Sequence, residues 1–245
     1  MTRAVAHQGY INQEFGLIAD FDGPIADVSE RYYRVYHECL DRMQGDDTSV
    51  QRFSKSEFWA LKRARVPERT IGERSGLTPE QAQKFAALRR QLVHSQPYLK
   101  YDQLIPGAIA ALERAQEAGI ELTLMTMRRE RELAEALSRF DVGRFFPPER
   151  RYCMGDDAVK TADTQDKPRL MARAMKELPS YETLWMVGDT EADAIAAASQ
   201  DIHFIGVLSG IRDRPSLAAH HPQQIVNTLS DAVDFLLTSS LAPRS

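Results

Sequence analysis

Cysteine is scarce in this sequence: Cys39 and Cys153 are the only two in 245 residues, far apart and in no CxxC pair. That excludes a zinc knuckle and a disulfide framework as organising devices, and it predicts a reducing compartment, the cytoplasm. Positive charge is not in excess either. Lys and Arg number 31 against 35 Asp and Glu, a formal net charge of −4 that offers a nucleic-acid backbone no broad basic field. No apolar run approaches the roughly 18 residues of a membrane span, and the opening MTRAVAHQGYINQEFG carries no apolar h-region. Repeats and low-complexity tracts are missing as well. Nucleic acid and membrane are therefore not expected partners, and nothing in the composition fixes an oligomeric state. The remaining mixture, 43% apolar and 27% charged, is that of a soluble globular protein.

The order of the residues says more. A short apolar run, Phe15 to Ala19, stops at Asp20-Phe21-Asp22-Gly23-Pro24 and predicts a buried strand ending in a turn. From 25 to 104 no second buried strand follows. Helices are expected there at 29–44 with Ser29 as N-cap, at 54–65, and at 79–94 behind the Thr78-Pro79-Glu80-Gln81 cap, with a polar loop at 66–77. Phe58 and Trp59, and some of Tyr32, Tyr33 and Tyr36, read as packing between these helices. Beyond Pro106-Gly107 helix and strand alternate. Strands are expected at 120–126, 151–154, 183–187 and 202–207, with helices at 107–118, 129–139, 168–178, 191–199 and 230–238. The pattern predicts an α/β, Rossmann-like parallel sheet with helices on both faces, formed by residues 1–23 and 106–245. A helical insertion, residues 24–105, interrupts it.

In open parallel sheets ligands bind beyond the carboxyl ends of the strands. Those ends carry Asp20 and Asp22, then Thr126, then Asp189 with Asp193 four residues on. Singly, each has an ordinary explanation: an Asp-Gly turn, a helix cap, a first-turn acid. Their convergence on one sheet edge does not. Clustered carboxylates raise one another's pKa unless a cation neutralises them, and oxygen-only ligands suit a hard ion such as Mg²⁺. A metal among acids suggests an anionic substrate, phosphate above all. One acid can attack phosphorus while the other handles the leaving-group proton, and a cationic side chain must hold the transferred group.

At these residues the sequence resembles the haloacid dehalogenase superfamily. Ile18-Ala19-Asp20-Phe21-Asp22-Gly23-Pro24 is similar to its first motif, with Pro24 where Thr is usual. Leu122 to Thr126 is similar to the second, Asp166-Lys167-Pro168 to the third, and Gly188-Asp189-Thr190-Glu191-Ala192-Asp193 to the fourth. The resemblance implies Asp20 as nucleophile, Asp22 as general acid/base, and Thr126 and Lys167 as phosphate-binding residues. It implies Mg²⁺ held by Asp20, the Asp22 carbonyl, Asp189 and Asp193. Lys160 competes with Lys167 but lacks the following Pro and helix start. The insertion resembles a helical cap of the C1 type, with Arg63, Arg65 and Arg69 in its inner segment and Arg128 at the rim as possible substrate contacts. The implied activity is a Mg²⁺-dependent phosphatase acting on a small phosphorylated metabolite through an aspartyl-phosphate. A phosphomutase shares every motif, and a non-catalytic binding protein would share the fold. A dehalogenase is disfavoured by the second acid, Asp22, and a phosphonatase by the lack of lysine in 25–54.

Overall fold

A computed structural model describes residues 13–44 and 50–240 of the chain. In order, the elements are β1 (Gln13–Ala19), β2 (Ala26–Asp27), α1 (Ser29–Met43), α2 (Lys55–Arg63), α3 (Glu68–Arg74), α4 (Pro79–Leu92), α5 (Gln96–Leu99) and β3 (Gln103–Leu104). There follow α6 (Ala108–Glu117), β4 (Glu121–Arg129), α7 (Glu130–Phe140), β5 (Arg151–Met154), α8 (Asp163–Glu177) and β6 (Tyr181–Gly188). The chain closes with α9 (Glu191–Ala198), β7 (His203–Val207), α10 (Arg214–Ala218), β8 (Gln224–Val226) and α11 (Leu229–Ser240).

Six strands form one parallel sheet in the order β5-β4-β1-β6-β7-β8. The first strand is therefore central, and the chain runs outward from it first through β4 and β5, then through β6, β7 and β8. The two directions part beside β1, which is where a crevice opens at the carboxyl ends of the strands. Strand side chains alternate between faces. Leu17 and Ala19 join Val187, Ile205 and Val207 in a cluster covered by α6, α7 and α11, whereas Ile18 joins Met186 and Phe204 under α8 and α9. Burial on both faces is why FGLIA reads as a continuous apolar run rather than an alternating one.

The insertion has a core of its own. Val35, Tyr36, Cys39, Leu40, Phe58, Ile71, Phe85 and their neighbours form a third cluster among α1–α4. A short antiparallel ribbon, Ala26 opposite Leu104 and Asp27 opposite Gln103, marks where the chain leaves the sheet and returns. Ile25 and Ala26, expected within the insertion, pack instead into the cluster under the sheet.

Several local expectations change. Ser29 is not an N-cap; it lies inside α1, and its backbone N–H donates to Asp27 Oδ1 at 2.7 Å. The segment expected as a polar loop at 66–77 contains α3, because Gly72 has no side chain and lets that helix lie close on Ala82 and Phe85 of α4. The helix expected from 168 begins at Asp163, so Pro168 sits inside α8 rather than at its first position. Strand β4 runs on to Arg129, so Thr126 caps no helix. Among the described residues no helix is long and apolar enough to cross a membrane.

Candidate active site

The site starts where β1 runs out of apolar residues. The Asp20 N–H still donates to the Val187 carbonyl at 2.9 Å, which fixes Asp20 against the end of β6. The next residues fold into a tight turn: Ile25 and Ala26 donate to the Phe21 carbonyl at 3.1 and 2.8 Å, and Gly23 donates to Ala26 at 2.8 Å. None of these bonds needs an N–H at Pro24, so the departure from the usual Thr leaves the turn closed. Gly23 has φ +94, and a Cβ there would overlap the Asp189 carboxyl group. Glycine is thus required twice over, for the left-handed backbone and for the approach of the second strand end.

Asp20, Asp189 and Asp193 are buried, with one carboxylate oxygen from each within 4.8 Å of the others. A single lysine faces them. Lys167, projecting from the inward face of α8, lies 3.0 Å from Asp20 Oδ1 and also ion-pairs with Asp193. Asp193 caps α9 as a first-turn acid would, accepting from the Thr190 N–H at 2.9 Å and its hydroxyl at 2.7 Å, yet it is fully buried. Asp189 accepts from the Ile211 N–H at 2.6 Å. Thr126 is buried where the β4–β5 register shifts, between Met125 and Arg129.

Burial raises the Asp20 carboxyl well above its ordinary range, with Lys167 opposing and Asp193 and Asp189 adding to the effect. Burial and the Asp193 charge push Asp189 up to about 7. Burial would lower the Lys167 ammonium, but Asp193 and Asp20 outweigh it and raise its pKa. Three carboxylates against one lysine leave the cluster short of positive charge. All its free donors are oxygen, so the residues fit a hard divalent cation, with Asp20 and Asp189 the acids best placed to take it.

Asp22 has a different environment. Its Oδ1 accepts from Arg128 Nε at 2.8 Å, and its Oδ2 from Arg31 Nη2 at 3.1 Å. The same two arginines reach Asp102, Arg31 Nε at 2.9 Å and Arg128 Nη2 at 2.5 Å. The result is a neutral network of two acids and two arginines that joins β1 and β4 to both ends of the insertion. Burial would raise the Asp22 carboxyl, but Arg128 and Arg31 hold it down at about 2.

Asp20, Asp22, Thr126, Lys167 and Asp189 line one cavity of about 300 Å³, with Asp193 packed behind them. Lys160 lines it too, 3.8 Å from Asp163, with no contact to the carboxylates. The arginines expected to reach in from the insertion do not line it. Arg63 donates to the Arg212 carbonyl at 3.2 Å, Arg65 pairs with Glu191 at 3.2 Å, and Arg69 pairs with Glu73 one turn along α3 at 2.9 Å. Arg128 lines the cavity but is held by Asp22 and Asp102. The insertion contributes Lys62, Arg89, Arg90, His94 and Tyr32 in their place. Arg89 was findable: it shares the helical face of Ala82, Phe85 and Ala86, where a charged residue needs a reason. Arg31 carries the same signal on the buried face of α1 with Val35.

Comparison with known proteins agrees with this architecture. Residues 16–201 match the family described as haloacid dehalogenase-like hydrolase. A phosphoglycolate phosphatase of Synechococcus elongatus is 25% identical over 221 residues, covering 88% of this chain and 93% of the relative. A phosphoglycolate phosphatase of Pseudomonas fluorescens is 25% identical over 124 residues, 51% of this chain and 44% of the relative, so the chain spans under half the length of that protein. In three dimensions, a haloacid dehalogenase-like family hydrolase from Streptococcus pneumoniae superposes with a TM-score of 0.64 at 15% identity, over 91% of this chain and 99% of that one. With the matched segment spanning β1 to the end of α9 and enclosing every strand-end acid, this chain belongs to the haloacid dehalogenase-like hydrolases.

Proposed function

We propose that the protein is a Mg²⁺-dependent phosphatase that hydrolyses a small phosphate monoester through an aspartyl-phosphate on Asp20. The observation that carries this reading is the buried Asp20 with Lys167 at 3.0 Å, set in a three-carboxylate cluster on the wall of a cavity of about 300 Å³. A volume of that order suits a small metabolite. Asp20 and Asp189 would hold the ion together with the Asp22 backbone carbonyl, with Asp193 behind them. When bound, it supplies the positive charge the cluster lacks and offsets charge on the phosphoryl oxygens.

In the first step an Asp20 oxygen forms a bond to phosphorus as the bond to the leaving oxygen breaks, and Asp22 gives that oxygen its proton. In the second, Asp22 takes a proton from water as the water oxygen attacks the phospho-aspartate, releasing inorganic phosphate and restoring Asp20. Lys167 and Thr126 hold the phosphoryl oxygens while charge spreads over them. With Arg128 and Arg31 on its two oxygens, Asp22 is ionised, as the second step requires. The first step requires one of these arginines to withdraw so that Asp22 can carry a proton. Arg31 belongs to the insertion, so movement of the insertion as a cap would govern that withdrawal and also exclude water.

The test is phosphate release from a panel of small phosphate monoesters, including phosphoglycolate, with Mg²⁺ and with a chelator. Release should require the metal, and Asp20→Asn should reduce it to background while leaving the circular dichroism spectrum unchanged. An isomerised ester in place of free phosphate would replace the phosphatase with a phosphomutase. Turnover by Asp20→Asn at the wild-type rate would refute the nucleophile.

A further inference from the structure

Of the cations lining the cavity, Lys167 serves the carboxylates and Arg128 serves Asp22 and Asp102. Arg212 is held by Glu191 through two bonds of 2.7 and 3.1 Å. Lys62, at the end of α2, and Arg89, on α4, are not balanced in this way. Both converge on one oxygen of one acid, Glu68 Oε1, so a buried arginine and a half-buried lysine share a single negative charge. The Arg89 side chain is only 3% exposed, and its Nε and Nη2 are buried without a hydrogen-bond partner, as is the other carboxylate oxygen, Glu68 Oε2. Leaving such donors unmet in a site of low dielectric is costly. A third cation, Arg90, lines the cavity beside them.

The arrangement is also rigid. The Tyr32 ring faces Arg89 at 5.1 Å and Lys62 at 5.8 Å, and Arg89 also lies 5.6 Å from the Phe58 ring. Cations stacked on aromatic faces are held in place rather than left to trail in solvent. Burial and the neighbouring Arg89 charge also lower the Lys62 ammonium to about 8, as expected of a lysine that has more positive charge than negative around it.

We infer that Lys62 and Arg89 form a second anion subsite on the insertion side of the cavity, and that the substrate is a phosphate monoester whose short leaving group carries an anionic group of its own. This rests on the phosphatase reading above. The phosphoryl group meets the carboxylate cluster, Lys167 and Thr126. The tail anion, a carboxylate or a second phosphate, supplies the charge that Glu68 alone does not. A cavity of about 300 Å³ suits a small leaving group that carries such an anion.

The test compares three esters that differ only in the tail: phosphoglycolate, ethylene glycol bisphosphate and uncharged ethyl phosphate. Charge-assisted contacts of this kind correspond to roughly 10- to 100-fold in affinity. Wild type should therefore favour a charged tail over ethyl phosphate by at least about tenfold in kcat/KM, expressed mainly in KM. The better of the two charged esters identifies the tail as carboxylate or phosphate. Lys62→Met should reduce that preference about tenfold, Arg89→Met should do the same, and Lys62→Arg should restore much of it. Equal use of all three esters by wild type, or variants that lose activity on all three in proportion, overturns the subsite and leaves a structural ion cluster joining α2, α3 and α4. If wild type hydrolyses neither these nor any other ester of the panel above, the phosphatase reading fails. Calorimetric binding of the same three compounds then decides the subsite separately, a preference for the charged tails supporting it and none overturning it.

Discussion

The carboxylate cluster makes a quantitative demand on the protein's stability. With Asp189 raised from its ordinary 3.8 to about 7, the folded state binds a proton more tightly than the unfolded chain does throughout that interval. Stability of the metal-free protein should therefore fall as pH rises from about 4 to about 7. Above that it stays lower by about 4 kcal/mol, at about 1.4 kcal/mol for each pH unit. A divalent cation competes with that proton. For a single acid of pKa about 7, the apparent Kd for Mg²⁺ is about 30-fold weaker at about pH 5.5 than at about pH 8, which is about 2 kcal/mol of stabilisation at saturating metal. In a chain of this length that is about 4–8 °C in the unfolding midpoint. Burial raises Asp20 in the same direction and can only enlarge the difference. The assay is thermal unfolding with and without Mg²⁺ at the two pH values, on wild type and Asp189→Asn. Wild type should gain several degrees more from Mg²⁺ at the higher pH. Asp189→Asn should start more stable without metal at about pH 8 and gain little from adding it. An equal gain at both pH values, or an undiminished gain in the variant, would refute the claim that these acids are the cation site.

Two further substitutions probe how the site is supported. Asp102→Asn removes one acid from the buried network with Arg31, Arg128 and Asp22, and breaking such a network should cost about 3–5 kcal/mol, or about 10 °C in the unfolding midpoint; a change of a degree or less would show that the network bears no charge strain. Gly210→Ala places a methyl group where the Asp189 carboxylate lies, so phosphatase activity and the Mg²⁺-induced stabilisation should fall together, and normal values of both would show that Asp189 has room to move.

Much of the fold was legible because burial leaves a mark on composition. Strands covered on both faces read as near-continuous apolar runs, which is why 15–19 and 183–187 stood out. Part of the strand edge of the site followed from position alone: Asp20 and Asp189 are where a parallel sheet presents its carboxyl ends, whereas Thr126, expected to end a strand, lies three residues inside β4. Small elements escaped. The two-residue strands β2 and β3 are too short to show a period, and β8 is a three-residue edge strand, Gln224 exposed and Ile225 half-buried, too short to stand out either. Helix α3 was hidden by Gly72, which reads locally as a breaker and acts tertiarily as the contact with α4.

The insertion side of the site was harder for a definite reason. Arginine is read from sequence as surface, and in 62–72 the exposed ones do behave so: Arg65 and Arg69 find acids within reach and remain half in solvent. The arginines that matter to the cavity are those on faces where apolar neighbours forbid solvent. Arg31 lies on the buried side of α1 and Arg89 beside Phe85 on α4, so each needs a partner that the local sequence does not contain. Those partners come from elsewhere in the fold: Asp22 at the end of β1, Asp102 on the return to the sheet, Glu68 on α3. The periodicity of a helix thus reveals that a charge on its apolar face must be paired, but which group pairs with it is set by topology. The same reasoning separates Asp20 from Asp22, two residues apart on one turn. Asp20 is buried among acids with one lysine shared with Asp193, and burial pushes it up against that lysine's charge. Asp22 points at two arginines and is held down. The proposed chemistry needs the opposite order, Asp20 ionised to attack phosphorus and Asp22 protonated to serve the leaving oxygen, so a cation beside Asp20 and withdrawal of an arginine from Asp22 must invert it.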